Sequence, residues 1–80
     1  MKNTYSEKDR KFLKKLGENI RKCRMQKDIS QEELAYQADL DRTYISGIER
    51  GDRNISVLTF KKISNVIGIE ILDILKPNGK

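Results

Sequence analysis

Apolar residues recur every three or four positions along most of this chain, with charged and hydroxyl side chains between them. That period belongs to amphipathic helices and not to strands. Phe12, Leu13, Leu16, Ile20 and Cys23 make the first stripe, on a helix that Ser6 or Asp9 caps and that runs through Lys27. Gly17 in its middle costs about 1 kcal/mol relative to alanine, which points to close packing against a neighbouring helix. Asp28 and Ile29 form a short connector. Ser30 and Glu33 then stand at capping-box spacing, where each side chain can satisfy a backbone N–H at the start of a second helix near Gln31. Leu34, Ala35 and Ala38 give that helix its apolar stripe, and Asp39 tolerates the left-handed conformation that lets the chain bend. Asp41 caps a third helix, with Ile45 and Ile48 inward one turn apart and Arg42, Thr43 and Ser46 facing elsewhere. Gly51 ends it, and residues 51–54 have turn composition. Ser56 caps a fourth helix whose buried stripe is Val57, Phe60, Ile63 and Ile67, and Gly68 closes it. Residues 69–75 predict a fifth, short helix before Pro77 stops the chain.

Five helices leave no room for strands, so the expected fold is a compact all-α bundle. Eighty residues suit one small domain. Its expected limits are 9–76, with a flexible arm at 1–8 and a tail at 77–80. In the fifth helix Ile69, Ile71, Leu72, Ile74 and Leu75 spread over more than one face, so they cannot all point into the same core. Surplus apolar surface marks an interface, and a two-fold homodimer is the commonest way to cover it.

Composition narrows the chemistry. With one cysteine the chain cannot form an internal disulfide, and with no histidine it lacks the commonest metal ligand and general base. Cys23 falls on the core stripe of the first helix and reads as packing. The carboxylates Glu32, Glu33, Asp39 and Asp41 read as caps and solvent-facing groups, so no catalytic site, metal or cofactor is expected. The apolar cluster at 66–75 is broken by Gly68, Glu70 and Asp73, and the basic start lacks the apolar run of a signal peptide. A cytoplasmic protein is expected. The net charge of +5 is unevenly placed: residues 1–27 hold ten Lys/Arg against three Asp/Glu, and residues 28–80 hold seven against nine. A basic segment of that kind suits a polyanion.

The run ISQEELAYQADLDRTYISGIERG resembles the phage repressor/Cro (XRE-type) helix-turn-helix, and the flanks LGENIRKCRMQKD and ISVLTFKKISNVIGIEILDIL extend the likeness from Leu16 to Leu75. Within that family, LDRTYISGIERGDRN is most similar to the controller proteins of restriction-modification systems. The resemblance implies a lambda-repressor-like domain whose third helix enters the major groove of DNA. It implies that Arg42, Thr43 and Ser46 reach base edges, that Gln31, Tyr44, Arg53 and Asn54 hold phosphates, and that Arg24 and Glu49 form a buried ion pair. Three features depart from the family pattern: Gly47 stands where a longer residue often lies on the exposed recognition face, Ile55 where proline is common, and the basic start is long. The implied function is a dimeric transcription regulator at its own promoter, activating at one site and repressing at higher occupancy. Its implied partners are an inverted-repeat DNA operator, a second copy of the chain and RNA polymerase, with no membrane and no small-molecule ligand. The rival reading is an antitoxin-like module that uses the same fold to bind another protein.

Overall fold

The computed structural model describes residues 5–69, which form four α-helices: α1 Glu7–Gln26, α2 Gln31–Ala38, α3 Arg42–Arg50 and α4 Val57–Ile67. Among the described residues there is no strand. The fifth helix expected at 69–75 lies outside them, apart from Ile69. α1 begins at Glu7, two residues before the expected domain limit.

Serine hydroxyls start three of the helices. Ser6 Oγ accepts from the Asp9 N–H at 3.0 Å, Ser30 Oγ from Glu33 at 2.9 Å and Ser56 Oγ from Thr59 at 3.0 Å. Each fills one of the backbone donors that a helix start leaves without a partner, a contribution of about 1 kcal/mol. Asp41 precedes α3 in extended backbone, but its carboxylate makes no capping hydrogen bond, so only its position matches the expectation. Between α2 and α3, Asp39 adopts the left-handed conformation (φ 58°, ψ 49°), and the Leu40 N–H returns to the Ala35 carbonyl at 2.8 Å. That closure satisfies an orphan carbonyl and turns the chain within three residues.

The core gathers Leu16 and Ile20 from α1, Leu34, Ala35 and Ala38 from α2, Ile45 and Ile48 from α3, and Phe60, Ile63 and Ile67 from α4. Ile69 joins this cluster at 6% exposure. Two expected core positions are exposed instead: Phe12 at 45% and Val57 at 73%. At roughly 100° per residue, each lies about 90° or more from the centre of its helix's buried face. The stripes are therefore narrower than the period alone suggests. Tyr36 on α2 is 81% exposed.

Gly17 sits where α1 crosses α3. A Cβ built there would meet the Ile48 carbonyl oxygen and would lie 2.7 Å from that of Glu49, so the two backbones are in contact. Gly51 then ends α3 with φ 84°, and its own Cβ would fall 2.7 Å from Lys14 Cα. Both crossings fix α3 on α1 with its opposite face outward. Cys23 is half-buried against the core; burial pushes its thiol upward in pKa, partly offset by the charge of Lys22. A thiol held protonated is a weak nucleophile. Among the described residues no helix is long and apolar enough to cross a membrane.

Candidate nucleic-acid interface

Helix α3 has two chemically distinct sides. Ile45, Ile48 and Glu49 are buried, while Arg42, Thr43 and Arg50 are exposed and Ser46 is half-buried. Arg42, Ser46 and Arg50 follow one another at four-residue steps, with Thr43 three residues before Ser46, so the polar groups form a continuous stripe. Arg50 was not anticipated as part of this stripe, although its spacing from Ser46 was readable. Its Nη1 donates to Ser46 Oγ at 2.8 Å and its Nε to Asp52 Oδ2 at 2.8 Å. Ser46 keeps its own hydroxyl proton to donate outward. An exposed ion pair such as Arg50–Asp52 is worth about 0–1 kcal/mol, so this chain of contacts can rearrange around a ligand.

The inner side of α3 is held by a buried ion pair. Arg24 Nε donates to Glu49 Oε2 at 2.7 Å and Nη2 to Oε1 at 3.1 Å, while Nη1 donates to the Ile29 carbonyl at 2.8 Å. The expected Arg24–Glu49 pair is thus present, in the two-pronged geometry that suits guanidinium and carboxylate. Gln31 Nε2 adds a further donor to Glu49 Oε1 at 3.0 Å. Among the described residues no buried side-chain nitrogen or oxygen lacks a partner. The pair therefore joins α1, the 28–30 connector, the start of α2 and α3 in one network. It also orients the Gln31 amide, which keeps a second N–H at the positive end of α2.

Tyr44 is half-buried and faces Arg53, whose guanidinium carbon lies 5.5 Å from the ring centroid. Gly47 differs from the expectation: it is not an exposed face left bare, but a buried position beneath the Arg53 side chain. Asn54 is exposed and borders a shallow cleft with Tyr5, Asp9, Phe12 and Leu13. Ile55, at the position where proline was the family norm, packs partly against the core. The structure thus gathers Arg42, Thr43, Ser46, Tyr44 and Arg53 on or beside α3, and places Gln31 at the neighbouring helix start.

The assigned interface residues divide. Ile69, just after the turn at Gly68, is 6% exposed and packs with the chain's own core cluster. Ile71, Leu72, Ile74 and Leu75 lie outside the described residues. Among the described residues no group of histidine, cysteine and carboxylate side chains could hold a metal ion.

The profile of the helix-turn-helix family matches residues 20–74. The chain is 48% identical over 60 residues to the control protein C.BamHI of Bacillus amyloliquefaciens, covering 74% of each chain. The crystal structure of the restriction-modification controller protein C.AhdI from Aeromonas hydrophila superposes with a TM-score of 0.73 at 40% identity, over 78% of this chain and 94% of that one. The tetramer of the controller protein C.Esp1396I in complex with its natural 35 base-pair operator gives a TM-score of 0.71 at 39% identity, over 80% and 84%.

Proposed function

The chain belongs to the helix-turn-helix family, and from that premise we propose that it is a dimeric controller of a restriction-modification system, binding operator DNA at its own promoter. The observation that carries this reading is the division of α3. A helix anchored by Ile45, Ile48 and Glu49 presents an unbroken polar stripe of groove-reading side chains. An α-helix fits the major groove of B-DNA, where each base pair shows its own pattern of donors, acceptors and methyl groups.

Arg42 has the fork geometry to bind guanine O6 and N7, the Thr43 methyl can touch a thymine methyl, and the Ser46 hydroxyl can serve as donor or acceptor. Tyr44, Arg53 and Asn54 flank the stripe and suit phosphate oxygens, which set docking without reading sequence. Gln31 donates to a phosphate from the start of α2, where helix polarity favours an anion. Exposed Lys11, Lys14 and Lys15 on α1 add attraction that does not depend on sequence. A dimer formed through residues 71–75 places two copies of α3 about 34 Å apart, one turn of DNA. The regulator works in the cytoplasm, without a catalytic step, and meets RNA polymerase when bound beside its promoter.

Selection from random duplexes with the purified chain tests the reading. The expected product is an inverted repeat whose half-sites lie one helical turn apart. Recovery of no preferred sequence, together with a stable complex formed with an unrelated protein, would replace it with the interaction-module reading.

A further inference from the structure

Gly47 occupies a place that helix geometry does not explain. It lies two residues beyond Ile45, so it points roughly 150° away from the centre of the core face of α3. It is buried all the same. What covers it comes from outside the bundle. The Asp52 N–H bonds to the Gly47 carbonyl at 2.9 Å, and with Gly51 in the left-handed conformation the chain doubles back along α3. Arg53 is the next residue. A Cβ built on Gly47 would lie 2.9 Å from Arg53 Cγ, 3.1 Å from Nε and 3.6 Å from Cδ, so the arginine stem runs lengthwise across the glycine. Its guanidinium reaches Tyr44, one turn back on the same side of the helix.

We propose that Gly47 is a positioning residue for DNA binding: its missing side chain leaves the bed in which Arg53 lies, holding the guanidinium over Tyr44 and toward the operator. The inference rests on α3 being the DNA-reading helix. An arginine ordered before binding loses less side-chain freedom when it meets its anion. The glycine supplies that order through the absence of atoms, while Tyr44 supplies the face against which the cation rests.

Three variants of the full chain test it: Gly47→Ala, Arg53→Ala and the pair combined. Alanine favours a helix over glycine, and the atoms it would displace belong to a flexible side chain, so Gly47→Ala should melt no lower than the parent. It should nevertheless bind the selected operator about tenfold more weakly, the scale of one charge-assisted hydrogen bond. The combined variant should bind no worse than Arg53→Ala alone. Losses that multiply in the pair, or operator binding by Gly47→Ala equal to the parent's, would overturn the proposal. A measurement without DNA separates it from the regulator reading. Arg53 side-chain proton resonances, shifted by the Tyr44 ring in the parent, should move to unperturbed positions in Gly47→Ala; unchanged shifts would end the proposal. A parent that binds no duplex would instead remove the regulator reading.

Discussion

Arg42 is exposed at the start of α3 and Glu49 buried two turns later, so the two should respond to truncation in different experiments. Arg42 is exposed, so Arg42→Ala should leave stability close to the parent's. It should cost about 1–3 kcal/mol on the selected operator and little on random DNA, measured by titration of both duplexes at one salt concentration. Equal losses on both would make Arg42 a phosphate contact. Glu49 accepts from Arg24 and Gln31 inside the fold. Glu49→Ala strands the Arg24 guanidinium and should cost about 3–5 kcal/mol in urea unfolding. Replacing the pair together by Arg24→Met and Glu49→Leu should restore most of that stability, because no charge is then left buried. A double variant as unstable as Glu49→Ala would mean that packing, and not the stranded charge, sets the loss. The single-residue roles were unevenly legible in the sequence. The hydroxyls of Ser6, Ser30 and Ser56 were readable as caps because cap and target lie three residues apart. The Gln31–Glu49 contact was not readable, because it joins residues 18 apart that only the folded bundle brings together.

At the scale of elements, the same substitution should have opposite effects on stability at two glycines. Gly17 and Gly47 both interrupt a helix, and alanine at either gains about 1 kcal/mol in helix propensity. At Gly47 the obstacle is a movable arginine stem. At Gly17 it is the carbonyl backbone of α3, at Ile48 and Glu49, which shifts only if the whole helix does. Overpacking of that kind costs about 1–3 kcal/mol or more, enough to outweigh the propensity gain. Gly17→Ala should therefore lower the melting temperature while Gly47→Ala does not, a comparison that needs only thermal unfolding of the two variants. A rise for Gly17→Ala would show that α1 and α3 can separate without loss. The close approach at Gly17 was readable from the cost of glycine inside a helix, whereas the burial of Gly47 was not. Its cover arrives six residues later, after a reversal whose direction no periodicity encodes. Phe12 and Val57 mark a similar boundary: spacing identifies a helix face, but the neighbouring elements decide how wide that face is.

At the scale of the molecule, charge and symmetry divide the work of finding and reading DNA. The basic excess in residues 1–27 attracts any duplex, and Gly51 packed on Lys14 keeps that helix beside the end of α3. Specificity needs two copies, because one α3 spans too few base pairs to define a site. Ile69, Ile71, Leu72, Ile74 and Leu75 are the apolar residues proposed to join them, of which Ile69 also packs with the chain's own core. Leu75→Glu places a charge in such a contact and leaves every residue of the α3 stripe unchanged. It should give monomers by light scattering and an operator affinity reduced about 10²–10⁴-fold, the advantage that linking two half-sites confers. Binding to a single half-site should be unchanged, which separates lost assembly from lost fold. A variant that stays dimeric would move the interface to another apolar surface, and exposed Val57 and Leu58 at the start of α4 would be the next residues to change.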